Sequence, residues 1–376
     1  MNASSLSPNS ILSLPQGSGQ GFQTDSRAIS FLRFPLMVGV VFIHSDLRNQ
    51  CPDMSQLTVY GEFMALFNDF ICGICVPLFF FISGYLFYKN WEKGAYGQKL
   101  RRRVRTVLTP YVLWNAICLA IIFALQTLRP GFNLLLHKQI SDFSPTDFLY
   151  IFWDIRQVTG LPTDQAASLV GQFWFLQCLM VMIVLAPVIR FLVRRGGLFT
   201  LLVMFLAYAF DPLPPIPGIK MEAFFYFSLG AWLTTNRLSF SELTRSKTLP
   251  FLLPFLFLYL LNRYVLPYEA DGIYATANIF LLTGILAFTT KMVLREKWRT
   301  STFLAGSSFF VFAVHRFFTA LLTNGVRLGY LPTDTSLVAM ATYLLGALAV
   351  VACCLAVYYP MNRFLPRLTA LLTGGR

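Results

Sequence analysis

Arg33 and His44 are ionisable groups inside an apolar run, which makes each a candidate for function because charge in such a run is costly. Eleven positions at about 100° each make three turns plus roughly 20°, so both project from one helix face about 16 Å apart. An arginine placed so can hold a phosphate or carboxyl oxygen bidentately, and histidine is the commonest general base near neutral pH. Spacing alone favours a plainer reading, with Arg33 snorkelling to headgroups and His44 bonding a nearby carbonyl. His315, Arg316 and Glu222 are the other ionisable groups in apolar segments. Arg316 follows His315 directly, about 100° round the helix, so the pair is not expected to serve one site. Glu222, Trp174 and Gln172 open segments on the side where His44 and Asp46 end one. They would line an outward pocket, with a carboxylate to orient or charge an imidazole and an aromatic face for a sugar ring. Equally, Trp174 suits an interfacial anchor and Asp46 a solvated loop. His137, in a long loop, is expected to be inert.

The elements that must position these residues are transmembrane helices. Hydrophobic residues make up 56% of the 376 and charged residues 12%, a balance foreign to soluble domains. The apolar blocks run to about 17–23 residues, which is what a helix needs to cross a bilayer. About ten spans are expected, over 28–47, 70–88, 106–126, 172–192, 198–211, 221–235, 248–266, 273–293, 303–325 and 337–359. The fold class is therefore all-α and polytopic, with a single domain over 26–362. Residues 1–25, rich in Ser, Gln, Gly and Pro, read as a disordered cytoplasmic tail without a cleaved signal peptide, and 363–376 as a second cytoplasmic tail. The link 127–171 holds an amphipathic stretch near Phe148 to Arg156, expected as a surface helix or lid. With the N-terminus inside, 21 Lys and Arg fall on cytoplasmic segments and seven on outer ones, which predicts N-in, C-in. The net charge of +13 is thus a matter of topology, and no nucleic-acid partner is expected. Seven cysteines, an odd number and nearly all in apolar blocks, argue against a disulfide framework, and the CxxC at Cys72 and Cys75 has no His or second Cys pair beside it to support a metal or redox role.

The stretch FLRFPLMVGVVFIHSD resembles the first helix of the membrane acyltransferase 3 family, marked by an arginine and a histidine with ten residues between them. VPLFFFISGYLF looks like its second helix, and RRRVRTVLTPYVLWN like the basic start of its third. QFWFLQCLMV, EAFFYFSLGAWL and SSFFVFAVHRF are similar to its Trp-Phe-Leu, aromatic-Gly and late-histidine helices. The likeness runs in order through 25–360. It implies ten core helices and O-acylation of sugars or surface polysaccharides, usually from acetyl-CoA. On that resemblance Arg33 and His44 are the essential pair, Arg102 and Arg105 match an Arg-x-x-Arg, and Ser83, Trp174 and His315 match later motifs. Phe310 and Phe312 stand where a tyrosine is usual. No appended esterase-like domain is expected, since the chain ends soon after the tenth span.

Arg101 to Arg105, at the inner start of the third helix, would suit the coenzyme A phosphates, although topology and anionic lipids also call for a basic run there. The expected reaction has acyl-CoA entering from the cytoplasm and His44, with His315 or an acid nearby, deprotonating an acceptor hydroxyl. Arg33 or a backbone amide would receive the oxyanion. Direct attack is preferred, because no serine or cysteine is flanked by a base. Acyl-CoA is the only cosubstrate expected, with no metal, and a bacterial inner membrane is the expected location. A transporter or exporter is the rival reading, since buried Arg and His suit proton coupling, but repeat halves are not visible.

Overall fold

A computed structural model describes residues 17–50, 56–91, 95–129, 136, 138–159, 167–211, 213–245, 247–266 and 270–375. Among these the regular elements are all helical. In chain order they are α1 (Gly19–His44), α2 (Thr58–Tyr88), α3 (Tyr96–Leu128), α4 (Pro145–Trp153), α5 (Gly171–Val184) and α6 (Ala186–Arg195). Then come α7 (Gly197–Phe210), α8 (Met221–Thr235), α9 (Leu249–Val265), α10 (Asp271–Leu294), α11 (Thr302–Arg327), α12 (Ser336–Phe364) and α13 (Pro366–Thr373). Each expected span contains helix. Among the described residues six helices are long and apolar enough to cross a membrane, or seven if α5 and α6, bent by 66°, form one span.

Two spans begin earlier than hydropathy places them. Glu62, Asn68 and Asp69 interrupt the apolar run before residue 70, yet α2 continues through them by widening to a π-helix over Ala65–Cys72. Likewise α3 includes the whole Arg101 to Arg105 run and widens over Val104–Leu108. The tail boundaries shift as well. Residues 1–16 lie outside the described residues, but Ser18 caps α1 and Asp25 is completely buried. Its carboxylate accepts from Tyr85 Oη (2.5 Å) and from the Ser241 amide (3.0 Å), so α1 is anchored well before residue 26. At the other end α13 packs on α3, where Trp114 Nε1 donates to the Leu372 carbonyl (3.0 Å), so this stretch is part of the bundle.

Glycines set the tightest helix pair. A Cβ on Gly84 of α2 would lie 2.0 Å from the Phe227 carbonyl oxygen, and one on Gly230 of α8 would lie 2.2 Å from that of Phe81. Only bare backbone permits that approach, the usual device for close helix contact in membranes. The expected amphipathic stretch is α4, opened by a capping box between Ser144 and Asp147. It is pinned beneath by the Tyr111 hydroxyl, which donates to the Phe152 carbonyl, and by Gln177 Nε2, which donates to that of Trp153 (2.6 Å). Cys72 and Cys75 are buried free thiols.

Candidate active site

His44 is the last residue of α1, but the side chains it meets come from the middle of α11. Its ring lies 5.1 Å from that of His315, the fourteenth of the 26 residues of α11. The end of α1 is therefore recessed to the middle of its neighbour rather than level with that helix's end at Arg327. His44 is half-buried and His315 wholly buried.

Hydrogen bonds fix the tautomers. His315 Nδ1 faces the carbonyls of Val311 (3.0 Å) and Phe312 (2.9 Å), which only accept, so this nitrogen carries the proton. The lone pair is left on Nε2, which is buried with no partner among the described residues. On His44 the assignment is reversed. Arg316 Nη1 lies 3.3 Å from His44 Nδ1, and a guanidinium only donates, so Nδ1 holds the lone pair and Nε2 the proton.

Arg316 thereby corrects the expectation that it points away from the site. The 100° offset from His315 is real, but the arginine chain spans it, so that His44 meets both the His315 ring and the exposed Arg316. Helix geometry alone treats side chains as short spokes, which an arginine is not.

Aromatic packing carries the site toward α5. Gln172 Nε2 donates to the Ala313 carbonyl (3.1 Å), and Phe173 stacks on Phe312 at 5.5 Å. Phe312 in turn lies 6.4 Å from the His315 ring, so the residue standing where tyrosine is usual buttresses the histidine by packing. Trp174 has Lys220 Nζ over its ring at 4.3 Å, which covers one face of the surface expected for a sugar. Glu222 lies within charge-interaction range of that same lysine, so Trp174 and Glu222 are brought together around Lys220.

Asp46 is not free to orient an imidazole. Its carboxylate is held by Arg48 (Nη2 2.6 Å, Nε 2.9 Å), which also grips Asp69 of the widened part of α2 (2.6 and 2.8 Å). These two ion pairs tie the chain leaving α1 onto α2. Arg48 carries no signal in the sequence beyond its place in an outer segment.

Arg33 lies three turns from His44 along the unbroken α1, about 16 Å, which removes it from any oxyanion formed at His44. Its neighbour is Arg103, close enough for the two charges to repel. Among the described residues neither is ion-paired with a carboxylate. Arg103 is half-buried against the Phe87 ring (5.8 Å), whereas Arg102 and Arg105 are exposed. The sequence singles out the outer two by motif; packing selects the one between them. Ser83 is half-buried beside Gly84, and no described contact joins it to the histidines or the arginines. His137 lies outside the described residues.

A family model described as an acyltransferase domain matches residues 26–359. The succinoglycan biosynthesis protein ExoH of Rhizobium meliloti (strain 1021) is 27% identical over 371 residues, covering 93% of this chain and 92% of that protein. No solved structure matches the chain. With the match reaching from the first turns of α1 nearly to the end of α12, this multi-pass membrane protein belongs to the acyltransferase 3 family.

Proposed function

We propose that the protein transfers an acetyl group from cytoplasmic acetyl-CoA to a hydroxyl of a surface polysaccharide, within a ten-span, N-in, C-in bundle of the bacterial inner membrane. The convergence of His44 with His315 at mid-depth carries this reading, because a base there is reachable by an acyl arm from one side and a hydroxyl from the other. His44 removes the acceptor proton as its oxygen attacks the thioester carbonyl, and the collapsing intermediate expels coenzyme A. His315 holds that imidazole in register, with its bare Nε2 as the buried acceptor beside it. The donor's phosphates lie at the basic end, where Arg33 and Arg103 repel one another until an anion sits between them, with Arg102 and Arg105 at the rim and Ser83 farther in along α2. Trp174, Lys220 and Glu222 form one wall of the acceptor side, with Asp46 beyond it in its ion pair. A polysaccharide acceptor accords with the succinoglycan named for the relative.

Inverted membrane vesicles supplied with radiolabelled acetyl-CoA test this directly. Label should enter endogenous carbohydrate and be released by mild alkali, as an ester is. Vesicles that bind acetyl-CoA but label no carbohydrate would overturn the reading.

A further inference from the structure

The resting site has its base covered. His44 carries its lone pair on Nδ1, and that lone pair is taken by Arg316 at 3.3 Å. A ring nitrogen has one lone pair, so an acceptor hydroxyl can give up its proton there only by displacing the guanidinium. Arg316 also makes no ion pair with any carboxylate among the described residues, which leaves its charge free for another anion. Arg316 is exposed, whereas His315, the other residue at the His44 ring, is wholly buried.

We propose that Arg316 is the oxyanion-stabilising residue of the transfer, and that it caps His44 until an acyl group is in place. The proposal rests on the acyl-transfer reading above and adds the residue that receives the negative charge. In the tetrahedral intermediate the carbonyl oxygen and the attacking oxygen are bonded to the same carbon, so they are closer together than a hydrogen-bond length. The groups that serve them must be adjacent too, and Arg316 Nη1 and His44 Nδ1 are in direct contact. Arg33, three turns away, does not satisfy this condition.

The step balances within these groups. The acyl carbonyl oxygen takes the guanidinium donors, which uncovers Nδ1. The hydroxyl proton passes to Nδ1 as its oxygen bonds to the carbonyl carbon, and the carbonyl π pair moves onto the oxygen facing Arg316. Collapse re-forms the carbonyl and breaks the carbon–sulfur bond, and the leaving thiolate takes the proton from the imidazolium. An imidazolium beside a guanidinium is a contact of like charges, and the oxyanion between them offsets it only while the intermediate exists. Proton removal is thereby tied to attack on the acyl carbon.

The test uses full-length protein in inverted vesicles with radiolabelled acetyl-CoA and endogenous acceptor. Arg316→Gln should lower the maximal rate by about 10²–10³, the usual cost of losing one oxyanion donor, with the KM for acetyl-CoA unchanged. Arg316→Lys keeps the charge and should recover at least about a tenth of the wild-type rate. Should the glutamine variant not accumulate in the membrane, Arg316→Lys and an Arg316→Ala variant given guanidinium ion carry the same comparison, with rescue by guanidinium expected. Wild-type rates in Arg316→Gln would overturn the assignment, as would a raised KM at unchanged maximal rate. Wild-type vesicles that label no carbohydrate would instead count against the acyl-transfer reading itself.

Discussion

His315 shows how a single side chain is specified by what it cannot reach. Its Nδ1 is committed to backbone carbonyls of its own helix, and its Nε2 is sealed from water with no partner, a state that costs roughly 1–3 kcal/mol unless something uses it. If its task is to hold His44, an amide should serve nearly as well as an imidazole. His315→Gln should keep most of the transfer rate in the vesicle assay, while His315→Phe should lose about ten- to hundredfold with unchanged acetyl-CoA binding. Equal loss in both would assign His315 a direct chemical part. At the basic end, Arg33→Ala with Arg103→Ala should raise the acetyl-CoA dissociation constant at least about tenfold, since each charge-assisted bond is worth roughly 1.5–3 kcal/mol. Arg102→Ala with Arg105→Ala should do less, because neither carries the ring packing that holds Arg103 on Phe87 beside Arg33. Equilibrium binding to purified protein decides between the pairs. His44, His315, Arg316 and Arg33 all stand out in the sequence as ionisable groups in apolar runs. That Arg316 meets His44 and that Arg103 lies beside Arg33 were not legible, because those contacts depend on which helix lies opposite and on the reach of a long side chain.

At the scale of elements, the same contrast holds between what hydropathy marks and what packing adds. The apolar blocks located the helices, but α2 begins at Thr58 and α1 at Gly19, where polar residues are satisfied inside the bundle by ion pairs and by the Asp25 cluster. A hydropathy run ends at the first charged residue; a helix ends where its backbone loses partners. Gly84 and Gly230 fall within stretches that the sequence likens to family helices, and the structural reason for bare glycine at both is the close backbone contact of α2 with α8. Gly84→Ala and Gly230→Ala should each destabilise the protein by about 1–3 kcal/mol, the cost of overpacking a close contact. Gly97 lies in exposed helix with nothing near its Cβ position, so Gly97→Ala should be neutral or slightly stabilising. Thermal unfolding in detergent, followed by retention of a monodisperse peak, measures all three. A Gly84→Ala protein as stable as wild type would mean that α2 and α8 are not packed this closely.

For the molecule as a whole, the proposed division between a basic donor end and a catalytic middle would give the transfer its direction. On the proposed topology, the charge asymmetry that predicts orientation and the cations proposed to receive the donor lie at the same end, so one feature of the sequence would serve both. Single-cysteine variants near Arg299 should be shielded from an impermeant thiol reagent in intact cells, and those near Asp142 and Asp271 should be labelled. The reverse pattern would place the donor site outside, where no acyl-CoA is found. The recessed end of α1 follows from α1 stopping at His44 while α11 continues for twelve residues beyond His315. The most direct measurement is transfer by His44→Ala in inverted vesicles, beside acetyl-CoA binding by the same protein. The rate of carbohydrate labelling should fall by about 10²–10⁴, the usual worth of a general base, with binding retained. A His44→Ala protein that binds acetyl-CoA and labels carbohydrate at the wild-type rate would contradict the account.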